Sequence, residues 1–284
     1  MSNWIWNFPE VMRFDIGTPI DKLVIYLSKN FDSVFRFIKE ILVAFTQSIY
    51  YVVDTIPWWL IIILIGIWGW KSSGKPARGL IFSVMLFFIG MVGLWPLMLE
   101  TVALVIASVI ISLLIGLPIG VLVSGSERAN SILKPVLDAM QTMPTFVYLI
   151  PAVMFFGLGQ APAVIATTIY AVPPVIRLTS HAIGQVDAEV VEASRAFGST
   201  WGQTLIKVQI PQAMPTIMTG VNQTIMMAVA MVVTCAMIGA KGLGMEVLIG
   251  INRLELGRGF TSGVAIVFIA IIMDRLTQSW SEKK

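Results

Sequence analysis

The chain has 284 residues, 57% of them hydrophobic and 12% charged, whereas roughly 25% of a soluble domain's residues carry charge. With a mean hydropathy of +0.85 it reads as an integral membrane protein, and its net charge of +3 and pI near 9.0 reflect loop lysines and arginines that set topology, not nucleic-acid binding. A single Cys235 and a single His181 leave no framework for an intrachain disulfide, redox chemistry or a metal site, and His181 reads as a plain loop residue.

The stretch from Met1 to Asp15 lacks a basic start, a long apolar core and a small-residue cleavage site, so the mature chain is expected to begin at Met1. Residues 1–54 form the first region. Ile20, Leu23, Val24, Leu27, Phe31, Val34, Phe35, Ile38, Ile41 and Leu42 recur at helical spacing, while Lys22, Lys29, Arg36 and Lys39 interrupt them. That pattern predicts an amphipathic helix lying in the membrane interface, with Tyr50, Tyr51, Trp58 and Trp59 marking the boundary that follows.

Seven spans are predicted after it, at about 55–70, 80–98, 101–123, 143–157, 161–176, 213–238 and 260–275. Residues 101–123 and 213–240 carry no charge, and at about 1.5 Å per residue each exceeds the roughly 30 Å hydrocarbon core. The first two spans, in 55–98, are taken as peripheral and 99–280 as the transport core. The fourth and fifth are short, separated by a Gly157–Pro162 turn and ended by Pro173-Pro174, which predicts a pair surrounded by other helices. Gly116 and Gly120 stand at a GxxxG spacing read as close helix packing. Gly239, Gly242 and Gly244 predict a tight turn or hinge after the sixth span.

Lys71, Lys75, Arg78, Arg128, Lys134, Arg177, Arg195, Lys207, Arg275, Lys283 and Lys284 fall on one side of this arrangement. The tight turns near 99 and 159 have no basic residue, and the loop after 238 has Lys241, Arg253 and Arg258. The bias puts residues 181–211 in the cytosol with the C-terminus, and the N-terminus outside.

Residues 181–211 are polar and helix-forming between apolar runs. Asp187 is suited to cap a helix from about Ala188 to Phe197, and Gly198 to end it in the left-handed conformation. Thr200 and Gln203 have capping-box spacing for a second helix along the membrane surface, with Trp201 as an anchor and Ile210-Pro211 leading into the next span. Ala193, Ser194 and Ala196 keep one face small enough for a protein cleft to close over it. On physics alone the plain alternative is a solvated loop of two amphipathic helices. Residues Gly69–Pro76 nearly spell a phosphate-binding loop, but Pro76 stands where a magnesium-holding Ser or Thr is needed, and no strand precedes it. Any ATP is therefore hydrolysed by another chain.

The segment resembles the cytosolic motif of ABC importer permeases: Glu192-Ala193-Ser194, then Gly198, then Val208-Gln209-Ile210-Pro211 at the motif's spacing. It departs by Ser194 for Ala, Val208 for Ile and Ile210 for Leu. Asp138–Pro151, Gly157-Leu158-Gly159 and Pro173–Thr179 look like the glycine betaine and proline betaine branch, over about residues 80–280. The resemblance implies an all-α polytopic bundle of the MetI-like permease type in a bacterial cytoplasmic membrane. It implies a second copy of the permease, two cytosolic ABC ATPase subunits that bind ATP and Mg, and an extracytoplasmic substrate-binding protein. Glu192, Ala193, Ser194, Gly198, Ile210 and Pro211 would be the ATPase contact, with no cofactor or metal on this chain.

Polar residues inside spans are candidate lining for a zwitterion's path: Ser108 and Ser112 on one face of the third span, Asn222 and Gln223 in the sixth, with Met226 and Met227 as an adaptable surface. Each has a plainer reading. Such hydroxyls and amides commonly join helices, and methionines commonly face lipid or core. The tryptophans sit near predicted interfaces and form no aromatic cage, so specificity is expected in the binding protein. The competing class is a self-sufficient secondary transporter or channel, which usually carries ionisable groups at mid-membrane; here Asp274 and Arg275 lie at a span's edge.

Overall fold

A computed structural model describes Asp15 and residues 17–281, of residues 279–281 the backbone only. Lys283, Lys284 and the tail before Asp15, all invoked above, lie outside the described residues. Every regular element among them is helical.

The N-terminal amphipathic pattern forms two helices, α1 (Gly17–Asn30) and α2 (Asp32–Asp54), broken at Phe31. α2 meets α3 (Trp58–Ser73) at 89°, so it lies crosswise to the bundle. Its apolar face is not left to lipid alone: Leu42, Phe45 and Ile49 pack on the core, Thr46 is 1% exposed, and the Phe35 ring stacks on Phe155 at 4.7 Å. α2 thus crosses one end of the bundle as a packed strap.

α3 pairs with α4 (Pro76–Met91), and both lean on α13, introduced below. The span predicted at 80–98 is displaced. α4 stops at Met91, Gly93 turns with φ 74°, and α5 (Trp95–Ser124) starts there because Pro96 falls in its first turn, where a missing N–H costs nothing. α6 (Glu127–Thr142) and α7 (Phe146–Phe156) meet at 90° around Pro144, so the fourth span is a bent pair and α7 alone has 11 residues.

α8 (Gln160–Gly184) occupies the centre, wedged between α5 and α11 (Ile210–Ala236). It runs straight past Pro173-Pro174, correcting the predicted stop at 176. Both prolines are buried, and the helices on either side hold the backbone where ladder bonds are missing. Of the predicted inner pair, α8 is central, whereas α7 exposes Phe146, Val147, Ile150 and Met154. A Cβ at Gly120 would sit 2.7 Å from Thr179 Cβ and 2.9 Å from the Ile176 carbonyl oxygen; the glycine spacing packs α5 onto α8 within the chain.

After α11 the chain turns into α12 (Leu243–Arg253), a helix the sequence reading did not contain, then α13 (Leu256–Ser281). The Leu243 N–H donates to Thr101 Oγ1 at 2.8 Å, and Arg258 Nε to Glu246 at 2.5 Å, which pins α12 across the strap end. Among the described residues four helices are long and apolar enough to cross a membrane, two bent pairs pass the same test when joined, and Pro76–Met91 is apolar but shorter.

Candidate functional site: the helical corner at the far end

At the end opposite the strap, α8 gives way to α9 (Ala188–Ala196) and α10 (Trp201–Thr204). Asp187 caps α9, its carboxylate accepting from the Glu189 N–H at 2.9 Å, with Glu189 in the first turn and Arg195 in the last, both favourable to the helix dipole. Gly198 has φ 80°, a conformation that strains any residue with a Cβ, and its N–H closes on the Arg195 carbonyl at 2.9 Å. Thr200 and Gln203 form the capping box. The Gln203 N–H donates to Thr200 Oγ1 at 3.4 Å, and the Thr200 N–H to Gln203 Oε1 at 2.9 Å.

α10 does not lie separately along the surface. It runs through a π turn, Leu205–Gln209, into α11, giving one helical element from Trp201 to Ala236. Pro211 supplies the reason: it has no N–H for the carbonyl one turn earlier, and the wider π register absorbs that break. Ile210 and Pro211 therefore sit at the joint where the corner becomes a membrane helix.

Three hydroxyls close the corner. Ser194 Oγ lies 2.6 Å from Ser199 Oγ, Ser199 Oγ 2.9 Å from Thr204 Oγ1 and Ser194 Oγ 3.2 Å from Thr204 Oγ1, while a Ser199–Ser194 carbonyl bond completes the clasp. Ser194, the departure from Ala in the motif, is one of its members. Outside the clasp the corner is bare: Glu192, Ala193 and Gly198 are exposed, Trp201 is 55% exposed and Phe197 94%. The Phe197 ring is packed against nothing in this chain's own fold. The sequence reading passed over Phe197 because it counted the residue only as a helix end.

The candidate path residues separate. Ser108 and Ser112 are fully buried and face no open surface of this chain: Ser108 Oγ donates to the Leu104 carbonyl of its own helix at 2.9 Å, whereas Ser112 Oγ reaches across to the Thr168 carbonyl of α8 at 3.4 Å, and Thr168 Oγ1 returns a bond to the Ser108 carbonyl at 3.4 Å. Asn222 Nδ2 donates to Asp274 Oδ1 at 2.8 Å, and Gln278 Nε2 to the same oxygen at 2.7 Å, so Asn222 links α11 to α13. Met227 is partly buried in the α11 core. Gln223 and Met226 alone are exposed, on a face of α11 shared with Gln212, Thr219 and Met237. Sequence spacing grouped these residues by helix; it held no signal for the Asp274 partner on another helix.

Residues 112–280, more than half the chain, match the family described as binding-protein-dependent transport system inner membrane component. The chain belongs to this family. Over 278 residues it is 46% identical to a glycine betaine/carnitine transport permease protein, GbuB, of Listeria monocytogenes, covering 97% of this chain and 98% of the relative. Against the glycine betaine/proline betaine transport system permease protein ProW of Escherichia coli it is 43% identical over 98% of this chain and 82% of the relative. Among solved structures the inward-facing MetNI methionine ABC transporter aligns with a TM-score of 0.59 at 24% identity, covering 66% of this chain and 94% of the other, which supports the fold. As a family member this chain is an inner-membrane transport component with several membrane helices.

Proposed function

We propose that this chain is the permease of an ATP-driven importer for glycine betaine or a related quaternary ammonium solute, and that residues 187–211 receive the ATPase's motion. The observation that carries the reading is the bare corner: Glu192, Ala193, Phe197, Gly198 and Trp201 open to a partner, clasped from behind by Ser194, Ser199 and Thr204. A corner held by caps and side-chain bonds moves as a unit, and its continuity with α11 carries a displacement into the bundle. ATP and Mg belong to the separate ATPase chain, so no bond is made or broken here. The corner faces the cytosol, and the strap end, with α12, faces outward to the substrate-binding protein.

The substrate class rests on GbuB and ProW, whose named substrates carry a fixed positive charge and a carboxylate. Gln223 and Met226 would line the path once a second copy closes over the exposed face of α11. Their uncharged, polarizable surface suits a zwitterion that must pass without being held.

Introduced cysteines test the reading cleanly, because the native Cys235 is buried. With the chain assembled with its ATPase and binding protein in vesicles, a cysteine at 192 or 197 is expected to cross-link to the ATPase and to react with a cytosolic thiol reagent. Labelling of those positions from the opposite side, or betaine uptake by this chain without any ATPase, would defeat it.

A further inference from the structure

At the corner end a cavity of about 360 Å³ opens between α5, α6 and α8. Leu137 and Ile176 supply part of its apolar wall, and Asn130, Lys134, Arg177, Ser180 and His181 its polar side. Ser180 is 5% exposed, yet its buried hydroxyl has no hydrogen-bond partner, and Arg177 Nε is likewise buried and unpaired. Buried polar atoms left without a bond destabilise a fold unless something else satisfies them.

The charge in the cavity is unbalanced. Among the described residues Asp138 is the one carboxylate paired with a cation here, bonded to Arg177 Nη2 at 2.5 Å, which leaves Arg177 Nε free. Lys134 and His181 have no carboxylate within ion-pair distance among the described residues. Each polar side chain here presents a donor, and such donors converging on a small space fit an oxyanion.

We propose that this cavity binds a phosphate-type oxyanion, held by Lys134, Ser180 and the free edge of Arg177, with Asn130 and His181 at the rim. The anion can come from inorganic phosphate or from the phosphodiester of an acidic phospholipid whose chains lie along α5 and α6. The site is separate from the corner and does not depend on which solute is carried.

Full-length protein in phosphatidylcholine nanodiscs, titrated separately with inorganic phosphate and with a short-chain phosphatidylglycerol, tests it by tryptophan fluorescence. Saturable binding of at least one probe is expected, weakened about tenfold in Lys134→Gln and in Ser180→Ala, and unchanged in Lys241→Gln at the other end. Saturation by phosphatidylglycerol alone assigns a lipid headgroup, and saturation by phosphate assigns a free anion. Saturation by neither probe overturns the proposal, as does equal affinity in wild type and Lys134→Gln. Lys134 is exposed, so its variant folds and the comparison is always readable.

Discussion

The seam between α5 and α8 and the corner at 187–211 are built on opposite rules. In the seam Gly116 and Gly120 bring backbones together, Ser108, Ser112 and Thr168 are buried, and nothing charged intervenes. In the corner no residue of α9 is buried, and order comes from an aspartate cap, a capping box, one left-handed glycine and three hydroxyls. Between two apolar helices in lipid the hydrophobic effect offers little, so close packing has to hold the seam. In the corner, water competes for every hydrogen bond, and shape is kept by local bonds that leave the outer surface unused. The seam is therefore held by packing, and the corner by its own local bonds; under the proposed reading the corner is a rigid handle on the seam.

Substitutions that exchange these rules test the contrast. The largest effect is expected at Gly120→Leu, where a side chain would enter space already taken by Thr179 and the Ile176 carbonyl. Overpacking of this kind costs about 1–3 kcal/mol or more, so the melting temperature in detergent should fall sharply and uptake with it. Gly198→Pro comes next. Proline cannot adopt φ 80° and removes the N–H that bonds Arg195. Glu192→Lys reverses a charge on the exposed face. Both are expected to insert normally and keep their melting temperature within a few degrees, while ATP hydrolysis in the assembled transporter no longer drives uptake. Intact coupling in both variants would place the handle elsewhere. Phe197→Ala should be milder still: with the ring 94% exposed, stability is unchanged and ATPase binding weakens, measured as faster dissociation of the subunit.

The same contrast explains what could be read in advance. The corner was legible almost residue by residue, because Asp187, Gly198, Thr200 and Gln203 act over three or four positions of the same chain. Its continuation was not, because Pro211 makes a π turn instead of a boundary, and whether proline breaks or bends a helix depends on its neighbours. The bundle was legible as apolar segments, yet Pro173-Pro174 was taken for an end where the helix continues, and the break at Gly93 was passed over inside the span predicted at 80–98. α8 passes through its prolines under cover of α5 and α11, and α12 went unseen because its Thr101 and Arg258 contacts come from other helices. Ser112 and Asn222 look alike in sequence whether they line a path or tie helices; their partners on α8 and α13 decide it.

The effect predicted to be smallest on ATPase binding concerns the clasp, and it separates rigidity from contact. Ser199→Ala removes the central hydroxyl, which touches both Ser194 and Thr204, without altering the exposed face that a partner would grip. A half-buried hydrogen bond contributes about 0.5–1.5 kcal/mol, so the melting temperature should move by only a few degrees. If the corner works as a rigid handle, ATPase binding should be unchanged while solute moved per ATP hydrolysed drops. Thr204→Val, which keeps shape but removes the second hydroxyl, should do the same, and the double variant should add little, because both break one cluster. Loss of ATPase binding in these variants would mean that the hydroxyls form the docking surface itself, and the division between handle and grip would have to be redrawn.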